Sequence, residues 1–280
     1  MEAYPSDADI FEHGILVEST GSSIPLNRVA STRLPIYSGY TLCVVDSNGT
    51  SLNDRAVRLF VPTGPHAVAD FLEEGDLRYC LLAMLYHMNH LVDLYVAGCR
   101  TFETDSRIRS AREGNFSDPR IFYEIDALLT VALRVYESVR KVLWKHYMPG
   151  SRDRWRSIEG ALKSDRIPGN FSALLNNSWQ SVGEDLKAYR DCLAHYDPLT
   201  DGATTCWMEP IANRWGMTVK LPASPKSEGR GRHNYDFNAG PEALAYCHEL
   251  ACHLVGLCEA LQSQTTIATQ LANPGAKRPE

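Results

Sequence analysis

One short segment of the chain carries residue types that could act together on a phosphate ester. Arg190, Asp191 and His195 stand within six residues of each other, at the end of a helical pattern that stops at Asp197-Pro198. Arginine stays charged and can hold a phosphate between its N–H donors. Histidine titrates near neutral pH and can act as a general base or a general acid. Asp191 precedes His195 by one helical turn, so its carboxylate is expected to orient the imidazole.

The positions of these residues around the helix decide how they can meet. Arg190 lies at the edge of the expected buried stripe, and His195 lies about 140° further round a straight helix. Their side chains can serve one substrate only if the helix ends near His195, or if a second copy supplies the missing group. The residue before a proline avoids helical geometry, so Asp197-Pro198 predicts such an end. A two-fold dimer would place two Arg/His pairs around one groove. The buried stripe is expected to consist of Leu186, Tyr189 and Leu193.

A locally basic region precedes this segment in an otherwise acidic chain. The net charge of the whole chain is −6, whereas residues 134–166 hold nine Lys or Arg and four Asp or Glu, a net charge of +5. Such a region can face phosphate groups. It can equally be a solvated helix face whose cations complement a helix C-terminus.

The elements that must position the segment differ between two parts of the chain. Residues 1–70 carry short apolar alternations at 14–18, 40–46 and 57–61, with Asn48-Gly49 as a hairpin signal, and predict a small β-rich region. Residues 71–264 show helical spacing of apolar residues and predict a mainly α-helical bundle. The last residues, 265–280, predict a disordered tail.

Local signals place the helices within residues 71–264. Asp118 and Pro119 mark one helix start, and Ser181 with Glu184 predicts a capping box near another. The predicted helices span 77–98, 119–147, 152–163, 178–195 and 241–261, with an exposed connector at 100–116, a β-hairpin insertion at 205–221 and a polar loop at 222–238. One face of the second helix is expected to be buried through Ile121, Ile125, Leu128, Ala132, Tyr136, Val139 and Leu143.

With these elements in place, the segment is similar to the HEPN family of helical proteins. That family carries an arginine, a polar residue and then a histidine after four to six intervening positions, at the end of a helix in an all-α bundle. Arg190, Asp191 and His195 fit the four-residue spacing. The resemblance covers about residues 76–264 and leaves residues 1–70 and the insertion at 205–221 unaccounted for.

The resemblance implies a metal-independent endoribonuclease without a cofactor, acting as a homodimer. Such proteins often serve as toxins or antiviral defence effectors, so an antitoxin or defence partner protein is expected. The implied catalytic residues are Arg190, His195 and Asp191, with Asp191 orienting His195. The residues expected to contact the RNA substrate are Tyr189, Tyr196, Arg140, Lys141, Lys145, Arg152, Arg154 and Arg156.

Two other interpretations of the motif stay open. Many HEPN domains are inactive and serve as dimerisation, nucleotide-binding or partner-binding scaffolds. Alternatively, Arg190 and His195 make only capping and surface contacts. Two further clusters carry residue types that can bind a metal ion, but their apolar surroundings favour core packing. They are the pair His87 and His90, and the string formed by Cys247, His248, Cys252, His253 and Cys258.

Composition excludes several other classes of protein. With 280 residues, 44% hydrophobic and 22% charged, the chain has a globular composition rather than that of a disordered or coiled-coil protein. The chain has no run of eighteen apolar residues, so no transmembrane helix is predicted. Its acidic N-terminus does not have the pattern of a signal peptide, so none is predicted. The eight cysteines form no CxxC pair, which favours reduced thiols and a cytoplasmic location without membrane association.

Overall fold

The structure is a computed structural model. It describes residues 15–17, 23–25, 44–45, 75–105, 118–148, 155–195, 199, 206–211, 214–223 and 236–272. Most of these residues are helical, so the mainly α class predicted from the sequence is confirmed for them. None of the helices that the structure describes combines the length and apolar composition needed to cross a bilayer.

Three short strands come first in the chain. They are β1 (Ile15–Val17), β2 (Ser23–Pro25) and β3 (Val44–Val45), and they form an antiparallel sheet in the order β2-β1-β3. Leu16 stands opposite Ile24 on one side and Val44 on the other. The predicted strand at 57–61 and the Asn48-Gly49 turn lie outside the described residues, so a β-rich N-terminal region as a whole stays a prediction.

Two long helices, α1 (Gly75–Thr104) and α2 (Pro119–Tyr147), form an antiparallel pair. Near one end of the pair, Lys141 Nζ donates to Asp76 Oδ2 over 3.0 Å. His87 Nδ1, near the middle of α1, lies 2.7 Å from Glu124 Oε2, near the start of α2. Helix α1 is longer than the predicted 77–98 and includes the first residues of the predicted connector.

The boundaries and buried face of α2 follow the sequence signals. The Asp118 carboxylate accepts a hydrogen bond from the backbone N–H of Arg120, and Pro119 occupies the first helical position. Its fixed φ and missing N–H suit that position. All seven residues predicted for the buried face are buried. Helix α2 packs against α1 and against three helices that follow.

The next helices depart from the prediction in two places. Helix α3 (Ile158–Leu162) is shorter than the predicted 152–163, because the Ser157 side chain accepts from the Gly160 N–H and begins the helix there. Helix α4 (Gly169–Ser178) runs through a π turn (Trp179–Gly183) into α5 (Glu184–His195). The helical path therefore starts nine residues before the predicted start at 178.

The π turn also shows that the predicted capping box is wrong. Ser181 lies inside the turn, where its hydroxyl donates to the Ser178 carbonyl oxygen over 3.1 Å. The indole of Trp179 packs edge-on against Tyr136 of α2, with ring centroids 5.2 Å apart. A Cβ at Gly183 would collide with that indole, so glycine is required where the wide turn passes the ring.

The last elements are a hairpin and a long helix. Strands β4 (Cys206–Ile211) and β5 (Arg214–Val219) form the predicted antiparallel hairpin, and β5 packs on α1 and on α6 (Ala243–Ala272). Helix α6 extends beyond the predicted end at Leu261. Residues 265–272, which the sequence assigns to a disordered tail, are helical. Most of the predicted loop at 222–238 lies outside the described residues.

Candidate functional site

The motif lies on α5, which ends at His195 as the sequence predicts. Arg190 Nη1 donates to Asp191 Oδ1 over 2.9 Å, and the two side chains keep 40% and 26% of their surface exposed. The side chain of His195 lies outside what the structure describes. The observed partner of Asp191 is thus Arg190, and the prediction that Asp191 orients the His195 imidazole stays a prediction.

The Arg190 guanidinium can donate further hydrogen bonds while it is paired with Asp191. A guanidinium carries five N–H donors in a planar fork, and the contact with Asp191 occupies one of its nitrogens. The exposed edge can still bind a phosphate through two parallel hydrogen bonds. The adjacent carboxylate weakens the attraction for an anion but restricts the rotamers of Arg190.

The opposite side of α5 packs into the core. Leu186, Tyr189 and Cys192 are buried, and Leu193 packs against the core in part. The Tyr189 hydroxyl donates to the Pro222 carbonyl oxygen over 2.7 Å. Tyr189, which the sequence offers as an RNA contact, is 3% exposed, so in the single chain it holds the segment after the hairpin in place.

The basic residues proposed for RNA contact that the structure describes differ in their exposure and in their partners. Arg140 is 14% exposed and donates to Glu137 and to the Trp155 carbonyl oxygen, so it fastens α3 to α2. Lys141 is exposed but pairs with Asp76. Lys145 and Arg156 are exposed. Arg152, Arg154 and Tyr196 lie outside the described residues.

A buried carboxylate that the sequence analysis missed fixes the start of α6. Glu242 Oε1 accepts from the Tyr95 hydroxyl over 2.7 Å and from the Val219 N–H over 3.2 Å, while Oε2 accepts from the Ala245 N–H over 2.8 Å. Burial raises the pKa of Glu242 to about 7, although these hydrogen bonds favour its ionised form. The sequence shows an acidic residue directly after Pro241, at a helix start, which is a signal for a capping role. Nothing in the sequence indicates that this carboxylate is buried.

Burial alone raises the pKa of a second carboxylate, Asp126 on α2, to about 6. In the unfolded chain the two carboxyl groups have ordinary pKa values of 3.8 and 4.5. Between these values and their higher pKa values in the folded chain, Asp126 and Glu242 keep their protons only in the folded state. Their contribution to stability is therefore greatest below about pH 4 and decreases as the pH rises to about 7.

We expect Asp126→Asn to remove part of this pH dependence. At pH 8 the variant should be more stable than the parent chain by about 2 kcal/mol, because it no longer buries a charge. The difference should vanish near pH 4. Urea unfolding at both pH values measures it, with the fully exposed Asp165→Asn as control. A parent chain that gains stability relative to Asp126→Asn as the pH rises would contradict the assignment.

The two histidines of α1 share one partner. His87 Nδ1 and His90 Nδ1 lie 2.7 and 3.5 Å from the two carboxylate oxygens of Glu124, and the Tyr86 ring lies against both imidazoles. Both histidines are partly exposed, so the core position favoured by their apolar surroundings is wrong. Within the described ranges, no three His, Cys, Asp or Glu side chains are grouped so that they could hold a metal ion.

Three of the five residues in the cysteine and histidine string of α6 lie in the core, as their apolar neighbours indicate, whereas Cys252 and His253 are partly exposed. Cys247, His248 and Cys258 are buried, and burial raises the pKa of the Cys258 thiol to about 12. His253 Nε2 instead forms a 2.8 Å hydrogen bond with Ser178 Oγ, which is also 2.7 Å from the Tyr136 hydroxyl. This polar contact joins α2, α4 and α6 beside the π turn.

Comparison with known proteins finds no match for this chain. The chain matches no protein-family model, no curated protein and no solved structure. The similarity to the HEPN family therefore depends on the motif residues of α5 and on the helical bundle that carries them.

Proposed function

We propose that the chain is a metal-independent endoribonuclease of the HEPN type, acting as a homodimer in a toxin or defence system. The observation that carries the proposal is the position of Arg190. It stands near the C-terminal end of α5 with 40% of its side chain exposed, five residues before the helix ends at His195. Strand β5 of the hairpin insertion packs on α1 and α6 and leaves the Arg190 side chain accessible.

The chemistry follows from the residue types. The ribose 2′-hydroxyl attacks the adjacent phosphorus, and its proton passes to a general base while the 5′-oxygen leaves with a proton. His195 supplies or accepts these protons. Arg190 holds the phosphate and stabilises the charge that develops on its oxygens. The products are a 2′,3′-cyclic phosphate and a 5′-hydroxyl, and no metal ion takes part.

The spacing of the two motif residues around α5 supports the homodimer. Arg190 and His195 point about 140° apart on a regular helix. A second copy related by a two-fold axis near this helix brings the arginine of one chain towards the histidine of the other.

A second candidate function is a non-catalytic scaffold that binds a partner or nucleotide. The ion pair between Arg190 and Asp191 favours it, because a guanidinium already paired with a carboxylate attracts phosphate less strongly. Cleavage of RNA by the purified chain separates the two candidates.

We expect the purified chain to cleave mixed RNAs equally well with and without EDTA. The reason is that His195 and Arg190 provide the proton transfers and the positive charge that a metal would otherwise supply. Gel analysis of the RNA, with end-group analysis of the products, measures both the rate and the cyclic phosphate. Activity that disappears in EDTA and returns with a divalent cation would contradict the mechanism, and complete inactivity would favour the scaffold.

A further inference from the structure

The outer surface of the α1–α2 pair carries two rows of exposed side chains that include aromatic rings. On α1, Tyr79 and Tyr86 are 62% and 54% exposed and stand seven residues apart, which is close to two helical turns. On α2, Tyr123 is 66% exposed, and the exposed Arg134, eleven residues later, lies on nearly the same line of that helix. Large exposed rings on two adjoining helices mark an interaction site.

Contacts between the helices bring the two rows together on one side of the pair. Lys141 Nζ donates to Asp76 at one end of the rows. Further along, the Arg134 guanidinium lies 6.0 Å from the centre of the Tyr79 ring, at the limit of cation–π range. We call the surface formed by residues 76–90 of α1 and 123–141 of α2 the α1–α2 strip. Its fourteen-residue span on α1 is about 21 Å long.

At the other end of the α1–α2 strip, histidines take the place of the arginine. Glu124, the neighbour of Tyr123, contacts both His87 and His90. The centres of the His90 and Tyr86 rings are 4.1 Å apart, and His90 keeps 44% of its side chain exposed. Imidazole rings can stack on nucleic-acid bases as tyrosine rings do. Each of the two tyrosines of α1 therefore has a cationic or imidazole side chain beside it.

The charges of the two helices favour an anionic partner. Three of their half-buried acids, Asp118, Glu124 and Glu137, already contact a basic or histidine side chain. The exposed acids that the structure describes on these helices are two, Asp76 and Asp93. Against them stand six exposed cations, namely Arg78, Arg100, Arg120, Arg134, Lys141 and Lys145. Such a surplus of positive charge attracts a polyanion.

From these observations we infer that the α1–α2 strip binds single-stranded RNA outside the cleavage site. The bases would stack on Tyr79, Tyr86 and Tyr123, and the phosphates would lie against Arg134 and the neighbouring cations. Exposed rings next to cations are the arrangement by which proteins hold single strands without reading their sequence.

The composition of the α1–α2 strip favours a nucleic acid over an acidic protein. Leu82 is the only large aliphatic side chain that is exposed in the described part of these helices, so the strip offers little apolar surface to a protein. The bases of a duplex are stacked on each other and do not reach the rings, so the strip selects single strands. That the strand is RNA rests on the proposed function, whereas the binding itself rests on the strip.

Fluorescence anisotropy of a labelled 2′-O-methyl RNA of about 12 nucleotides tests the inference on the full chain. The probe has no free 2′-hydroxyl, so the 2′-hydroxyl attack of the proposed mechanism cannot cleave it. Tyr79→Ala and Tyr86→Ala should each raise the dissociation constant about fivefold or more, because each loses the stacking of a base. Tyr79→Phe and Tyr86→Phe keep the ring and should stay within about twofold of the parent chain. All of these side chains are exposed, so the fold should survive, and circular dichroism checks this.

The salt dependence of binding tests the phosphate contacts. Arg134→Ala should reduce the slope of log affinity against log salt concentration by about 0.7, the value for one phosphate contact on a single strand. Arg166→Ala, which removes an exposed arginine outside the strip, should leave the slope unchanged. The losses in the tyrosine variants should be the same when they are made in the Arg190→Ala chain, because the motif is a separate contact.

Three results would overturn the inference. They are binding that the double variant Tyr79→Ala/Tyr86→Ala does not weaken, a duplex of the same sequence that binds as tightly as the single strand, and a DNA strand that binds at least about tenfold more tightly than the RNA. Polyglutamate that displaces the probe at equal charge would indicate an acidic protein partner and would also reject the RNA site.

The binding and cleavage assays fail separately. A chain that binds the probe through the strip but cleaves no RNA would uphold the strip and reject the proposed ribonuclease. A chain that cleaves RNA while the tyrosine variants bind the probe as the parent does would reject the strip alone.

Discussion

Replacing either Arg190 or His195 with alanine is expected to lower the rate of RNA cleavage at least about a thousandfold. Removing a donor that stabilises transition-state charge, or a general acid–base group, typically costs two to four orders of magnitude. Arg190 lies outside the buried stripe of α5 and is partly exposed, so its loss should cost about 1 kcal/mol of stability or less. Initial rates on a single RNA, together with thermal unfolding, measure the two effects.

Matched variants distinguish this effect from a general loss of charge. Arg166→Ala removes an exposed arginine next to an acid, and His146→Ala removes an exposed histidine near a helix end. Neither should change the rate more than about twofold. Asp191→Ala should weaken cleavage without abolishing it, because its proposed role is to orient His195. Cleavage that survives both Arg190→Ala and His195→Ala would place the activity elsewhere.

Glu242→Ala is expected to lower the free energy of unfolding by about 3 kcal/mol at pH 6, where the parent carboxyl group, with a pKa of about 7, is mostly protonated. The substitution leaves the Tyr95 hydroxyl and the Val219 N–H without their buried acceptor, and each such loss costs about 1–3 kcal/mol. It also removes the contact that joins α1, β5 and the start of α6. Urea denaturation monitored by tryptophan fluorescence measures the loss.

Two controls accompany this variant. Glu249→Ala removes an exposed glutamate from the same helix and should change stability by less than about 0.5 kcal/mol. Tyr95→Phe deletes one donor and leaves the backbone hydrogen bonds of Glu242 in place, so its cost should be about 1 kcal/mol. A loss in Glu242→Ala no larger than that in Glu249→Ala would show that the buried contact contributes nothing.

The features that the sequence predicts well depend on neighbouring residues. Asp118 and Pro119 begin α2 because a side-chain acceptor and a fixed φ act within one turn. The buried face of α2 follows from the helical spacing of its apolar residues. The end of α5 at His195 likewise follows from the proline three residues later.

The features that the sequence could not predict depend on distant partners. The π turn places the indole of Trp179 against Tyr136 of α2. The sequence does not indicate this turn, because the apolar spacing from Leu186 to Leu193 fits a straight helix. Glu242 is buried because Tyr95, 147 residues away, closes over it. The pairing of Arg190 with Asp191 is an exception: the partners are neighbours in the chain, but adjacent residues of a helix are not expected to face each other.

The central claim is that the ribose 2′-hydroxyl next to the cleaved phosphate is the nucleophile. A single 2′-deoxy substitution at the nucleotide 5′ of a mapped cleavage site tests it most directly. The account predicts that cleavage at this bond is lost, while neighbouring sites are still cut and end in 2′,3′-cyclic phosphates. Continued cleavage at the substituted nucleotide would contradict it, because water or another nucleophile would then have to attack the phosphorus.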